Sequence, residues 1–187
     1  MGLPFVPNFT DVQAGDLVLI RADQTAIGAT IQGVQGSLPS SSPPNGDPDW
    51  THVGVYVNDG LMVETVPGRG VRYCPISHYV QTRDIRVRRL TRQGTRIAVS
   101  AGEKVVREAA AFFEQKYSYW SIVKHLLMQT NVSNSESFFC SSFVSIVYTK
   151  GLKVLLERNV LHRPLLPATL ATHPQFDDID LEWRAPK

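Results

Sequence analysis

Between Trp50 and Val66 the chain carries two β-rich runs, Trp-Thr-His-Val-Gly-Val-Tyr-Val and Leu-Met-Val-Glu-Thr-Val, around Asn58-Asp59-Gly60. β-branched and aromatic residues suit a pleated, half-buried surface, and an Asn/Asp/Gly turn between two such runs closes an antiparallel hairpin. This hairpin constrains the fold more than any other stretch. With a three-residue turn and Gly60 in the left-handed position, Val57 pairs with Leu61, Gly54 with Glu64, and His52 with Val66. His52 and Glu64 then project from one face as diagonal neighbours. A two-residue turn would carry Glu64 to the opposite face, because side chains alternate with a period of two.

The surrounding segments fill in a fold class. Gly15-Asp-Leu-Val-Leu-Ile-Arg reads as a short strand over 16–21, entered from a tight turn at Gly15. Segments 71–73 and 84–90 read as further strands, the second placing arginines on one face. Residues 35–50 are rich in Ser, Pro, Gly and Asp and read as a long loop of the kind that forms lids or binding loops. The texture then changes. In 101–117, Val105, Val106, Ala109, Ala110, Phe112 and Phe113 form one apolar helical face. A second short helix is predicted over 120–128, a polar loop over 131–137, and an apolar helix over 139–148 that stops at Gly151. The proline-containing tail reads as mostly irregular. Strands early and helices late give an α+β class in a single domain over 1–187.

Composition narrows the function classes. The 187 residues are 43% hydrophobic and 19% charged, which suits a globular chain with a real core. No apolar run reaches the ~18 residues that span a bilayer, and no signal peptide is read at the start. Two cysteines, Cys74 and Cys140, make neither a disulfide framework nor a zinc-site spacing. A cytoplasmic location, or export by a route that reads no cleavable signal, is expected. The net charge of +2 hides a block of eight arginines and one acid from Arg69 to Arg96. Arg83, Arg86, Arg88 and Arg89 are expected either to form a solvated strand face, the favoured reading, or to contact an anionic surface. No nucleic-acid partner is expected.

Cys140 carries the most chemical information. It follows a polar loop and opens an apolar helix, where unpaired backbone N–H groups and the positive end of the helix dipole favour a thiolate and can bind an oxyanion. Taken alone it reads equally well as a small buried hydrophobe. Cys74, before Pro75 and away from any helix start, reads as structural. A thiolate nucleophile needs a base. Of five histidines (His52, His78, His125, His162 and His173), His52 has the rigid strand position that catalytic geometry requires. Glu64 is placed to accept a hydrogen bond from its ring and fix its tautomer.

The order Gly15-Asp-Leu-Val, Thr51-His-Val-Gly-Val-Tyr-Val, Val63-Glu-Thr and Phe139-Cys-Ser-Ser-Phe-Val resembles a circularly permuted papain-like cysteine hydrolase. More narrowly it resembles the permuted branch of the NlpC-type cell-wall amidases and peptidases, to which lecithin retinol acyltransferase and its relatives are similar. The histidine hairpin precedes the cysteine helix, which is the permuted order. The resemblance covers 14–176 and implies an antiparallel sheet packed against helices. It makes Cys140 the nucleophile, His52 the base and Glu64 the polar third residue, with no metal or cofactor. It implies an amide substrate in peptidoglycan peptides. Cell wall lies outside the cytoplasm and no export signal is read, and one resolution is delivery by a signal-independent secretion route, which would make the chain an antibacterial effector with an immunity or inhibitor protein as partner. Two alternatives stay open on the sequence: a lipid or acyl-group thioesterase or acyltransferase with the same triad, and an inactive binding domain that keeps the fold.

Overall fold

The computed structural model describes residues 6–21, 49–66, 69–80, 83–113, 137–154, 156, 165–181 and 183–184. The predicted loop over 35–50, except its last two residues, and the predicted helix over 120–128 lie outside them. Five strands carry the main sheet: β2 (Leu17–Arg21), β3 (Trp50–Asn58), β4 (Leu61–Val66), β5 (Gly70–Pro75) and β6 (Ile85–Arg92). They lie in the order β5-β4-β3-β2-β6, all antiparallel. A short helix α1 (Ser77–Val80) follows β5, and β7 (Thr95–Arg96) extends the edge beyond β6. The helices α2 (Val99–Ala111), α3 (Ser137–Leu152) and α4 (Pro167–Ala171) come later in the chain. The architecture is therefore α+β, as the change of texture along the sequence predicts.

Alternation in the strands divides the core. Leu17, Leu19, Val53, Val55 and Val63 face a cluster that includes Val105, Phe143, Val147 and Tyr148 of α2 and α3. Val18, Ile20, Tyr56 and Met62 face a second cluster with Cys74, Ile76 and Tyr79. Both faces of the sheet are buried, so its strands read as nearly continuous apolar runs. Each large side chain withdrawn from water contributes about 1.5–3 kcal/mol before entropy is counted. Helix α2 seats on the turn before β2 through two glycines. Gly15 has φ +84, and a Cβ on Gly102 would lie 1.7 Å from the Ala14 carbonyl oxygen, so only glycine permits this approach.

Four expectations need correction. The hairpin turn has two residues, not three: Asp59 (φ 45) and Gly60 (φ 74) are both left-handed, and Asn58 pairs with Leu61. The register then shifts between Tyr56 and Asn58, where Val57 is the extra residue of a bulge, and Tyr56 pairs with Met62 and Val55 with Val63. The bulge restores the residue that the shorter turn removes. Beyond it the pairing is the predicted one, and Glu64 keeps the face of His52.

The apolar helix does not stop at Gly151. It runs to Leu152, and the left-handed residue is Lys153 (φ 57). Gly151 instead lies against the α2 backbone, where a Cβ would sit 3.1 Å from the Val105 nitrogen. The described part of the tail also carries regular elements that the reading of a mostly irregular tail leaves out. It contributes α4, a strand β8 (Phe176–Ile179) paired with β6, and β9 (Trp183–Arg184), which pairs with β1 (Val6–Pro7).

Two of the four arginines, Arg88 and Arg89, are not part of a solvated face and are not available to an anionic surface. Arg89 is buried and paired with buried Asp16. Arg88 is buried and donates to Asp178 and to the Leu170 and His173 carbonyls. Arg86 is also paired with Asp178, and Arg83 lies over the Tyr79 ring.

Candidate active site

His52 and Glu64 meet because the bulged hairpin aligns their strands. His52 Nε2 lies 2.7 Å from Glu64 Oε2. Gly54 occupies the position between them on the His52 strand, and a Cβ there would lie 2.8 Å from the Val63 carbonyl oxygen, so the two strands approach closely at this point. The Glu64 side chain is fully buried and His52 is partly buried. The second carboxylate oxygen, Oε1, accepts from Arg72 Nε at 2.8 Å and lies 2.7 Å from an Arg72 Nη. Arg72 is the direct cross-strand partner of Glu64 in β4–β5. Tyr79, in α1, donates its hydroxyl to Oε2 at 2.8 Å.

Cys140 is on the first turn of α3 and is buried. It hydrogen-bonds the His52 ring. Because Glu64 holds Nε2, the nitrogen left for the thiol is Nδ1. The neighbouring Ser141 donates to the Leu165 carbonyl at 2.6 Å, tying this turn to the segment that leads into α4. The three residues singled out in the sequence therefore form one continuous chain, Cys140–His52–Glu64.

The electrostatics follow from these contacts. Burial opposes charge on His52, but hydrogen bonds to Cys140 and Glu64, and the charges on both, hold its pKa up at about 10. Burial likewise opposes charge on Glu64, but the bonds from His52, Tyr79 and Arg72 hold it down at about 2. The resting pair is thus imidazolium and carboxylate.

The other cysteine and histidines are not links in this chain. Cys74 is the last residue but one of β5, and burial, with the Glu64 charge beside it, pushes its thiol up to about 11. A thiol so protonated is a poor nucleophile. His78 is exposed on α1, and His173 accepts the Gln175 amide through Nδ1 near β8. His125 and His162 lie outside the described residues. Arg72 and Tyr79 are site residues that sequence reasoning does not single out. The signal for Arg72 is its place opposite Glu64, which needs the β4–β5 register to be seen.

A model of the permuted papain-like amidase enzymes, the YaeF/YiiX or C92 family, matches residues 11–178. The chain belongs to this family. It is therefore an enzyme of the cysteine amidase and peptidase type, with a permuted papain-like fold, as the order of hairpin and helix implied. A solved structure, that of the metalloprotein yiiX from Escherichia coli O157:H7, superposes with a TM-score of 0.55 at 16% identity, over 92% of this chain and 98% of that one. At that identity the likeness speaks to the fold. A comparison with curated proteins gives no match.

The solved yiiX structure is described as that of a metalloprotein. No group of three or more His, Cys, Asp or Glu among the described residues is arranged to hold one. At the triad, both Glu64 oxygens already accept from Arg72, Tyr79 and His52. A cation there would have to displace the Arg72 guanidinium.

Proposed function

We propose that the chain hydrolyses an amide bond in peptidoglycan peptides through Cys140, His52 and Glu64. The observation that carries the chemistry is the unbroken contact chain from the thiol through the ring to a buried carboxylate. The Cys140 sulfur attacks the scissile carbonyl carbon. The oxyanion is taken up by N–H groups at the start of α3 that have no partner within the helix. His52 passes its proton to the leaving nitrogen, the C–N bond breaks, and an acyl-thioester remains. Water then attacks the thioester carbon while His52 accepts its proton. The carbon–sulfur bond breaks, and the acid product leaves. Glu64 holds the ring in the orientation both transfers require.

Support for the cell-wall substrate is the resemblance to NlpC-type enzymes together with membership of an amidase family. The lipid-enzyme alternative drew on arginines facing an anionic surface, and Arg88 and Arg89 are buried. An antibacterial effector role, with an immunity protein as partner, goes with the cell-wall substrate. The test is digestion of purified peptidoglycan stem peptides followed by mass spectrometry, with Cys140→Ala as control. Periplasm-directed expression of the same pair is its cellular counterpart. Cleavage and lysis by the wild type alone support the reading. Intact stem peptides and no lysis refute it.

A further inference from the structure

The Glu64 carboxylate is fully buried and in contact with Arg72, Tyr79 and His52. Two of these partners, Arg72 and Tyr79, have no part in the chemistry described above. We propose that Arg72 and Tyr79 are positioning residues, which lock the Glu64 carboxylate so that a single fixed lone pair faces His52 Nε2. The inference rests on the catalytic reading of Cys140, His52 and Glu64.

An ionised carboxylate offers about four acceptor positions. Arg72 takes those of Oε1 through Nε and one Nη, at 2.8 and 2.7 Å. Tyr79 takes one of Oε2 at 2.8 Å, leaving the other for His52 at 2.7 Å. The donors arrive from three elements, β3, β5 and α1, so the carboxylate is fixed against rotation and translation. Because its side chain is fully buried, water does not readily replace a donor that is removed. Arg72 is set by the β4–β5 register, in which it directly opposes Glu64. Tyr79 is set by its own burial in the second core cluster. Its ring also lies 6.0 Å from the His52 ring, which limits where the imidazole can swing. The same donors keep Glu64 ionised, as its low pKa requires.

Tyr79→Phe removes one hydroxyl and keeps the ring. Arg72→Met removes the guanidinium, and Arg72→Lys returns a charge without the two-point fork. The readout is the rate at which iodoacetamide alkylates Cys140 at about pH 6.5, where an ordinary thiol is mostly protonated. It needs no knowledge of the substrate. We expect Tyr79→Phe and Arg72→Met each to slow Cys140 alkylation about tenfold, with Arg72→Lys intermediate. The direction separates positioning from mere structural support: a loosened fold exposes a buried thiol and speeds its labelling. Unchanged or faster labelling in both variants would overturn the proposal. His52→Ala is the companion. If it leaves the rate unchanged, the pairing of His52 with Cys140 fails. If it slows the rate and the Arg72 and Tyr79 variants do not, only the positioning role fails. Should native Cys140 label too slowly to follow, the downfield proton resonance of His52 Nε2–H decides. It should broaden or vanish in both variants, and an unaltered signal would refute the inference.

Discussion

Two buried carboxylates in this molecule are each gripped by an arginine, and they do opposite things. Asp16 accepts from Arg89 at 2.8 and 2.7 Å and from the Gln13 amide at 2.8 Å. Glu64 accepts from Arg72, Tyr79 and His52. At Asp16 burial outweighs the donors and the pKa is raised, whereas at Glu64 the donors outweigh burial and hold it down at about 2. The difference lies in the kind of partner as well as the number. A guanidinium and a backbone amide do not change protonation near neutral pH, so Asp16 anchors a turn to β6 and transmits nothing. Glu64 ends in an imidazole that touches a thiol. A buried arginine–carboxylate pair is therefore no guide to function until its remaining lone pairs are followed to their partners.

The largest effect expected is at the end of the functional chain. Cys140→Ala should lower turnover by at least about 10⁴-fold, since the covalent route is lost. Cys74→Ala should keep most activity, because that thiol stays protonated. Single-turnover assays of both variants check this, and equal losses would place Cys74 in the chemistry.

Next comes Glu64→Gln, which should cost about 100-fold or more in kcat with the fold intact. A carboxamide has one acceptor oxygen where the site has donors on both sides. Its NH₂ must face either Arg72 or the Tyr79 and His52 pair, and each choice opposes donor to donor. Near-wild-type kcat in Glu64→Gln would show that another group orients His52.

How much of this is legible in the sequence depends on the distance over which each feature is encoded. The His52–Glu64 pairing is readable because alternation and an Asp-Gly turn are local signals. The turn is one residue shorter than the three-residue reading of Asn58-Asp59-Gly60, and the Val57 bulge cancels the difference. The chain of Cys140, His52 and Glu64 is readable through order and resemblance. The donors around Glu64 are not, because Arg72 sits inside a basic block whose composition suggests a solvated face. Arg88 and Arg89 mislead for the same reason: their partners Asp178 and Asp16 are 90 and 73 residues away. The strand at Phe176–Ile179 escapes a reading by pattern because Asp177 and Asp178 interrupt its apolar residues, and only pairing with β6 makes them sensible.

The structural carboxylate supplies the counterpart to Glu64. Asp16→Ala leaves Arg89 buried without its charge partner and should destabilise by roughly 3–5 kcal/mol. The protein that remains folded should keep its kcat. Urea unfolding beside activity under native conditions reads both. Loss of kcat at unchanged stability would erase the distinction drawn between the two acids.

The pH dependence of stability is gentler, at most about 1.4 kcal/mol per pH unit for each group. The His52 pKa is raised from 6.5 to about 10, so its contribution is complete below pH 6.5 and is lost as pH rises through 10. The Glu64 pKa is lowered from 4.5 to about 2, so its contribution is complete above 4.5 and is lost as pH falls through 2. Their joint contribution is greatest between pH 4.5 and 6.5. Thermal melts across pH should show His52→Ala flattening the alkaline side. An unaltered alkaline slope in that variant would mean the ring is not held charged.

The smallest effect expected is at Arg86, and it tests whether ion pairs on one strand can differ as sharply as the two carboxylates. Arg86 donates to Asp178 at 2.8 and 2.6 Å, but both side chains are substantially exposed, at 32% and 48%. Water competes for such a pair and salt screens it, so its contribution is about 0–1 kcal/mol. Arg88, two residues along β6, reaches the same Asp178 while its guanidinium is buried against carbonyls of the tail. Arg86→Ala should therefore lower stability by less than about 1 kcal/mol, by still less in molar salt, and should leave turnover of a soluble amide unchanged. Urea unfolding at low and high salt measures the first part. A loss of several kcal/mol would mean that Asp178 depends on Arg86 to hold Arg88. A salt-sensitive loss of turnover would return this arginine to a role in binding anions.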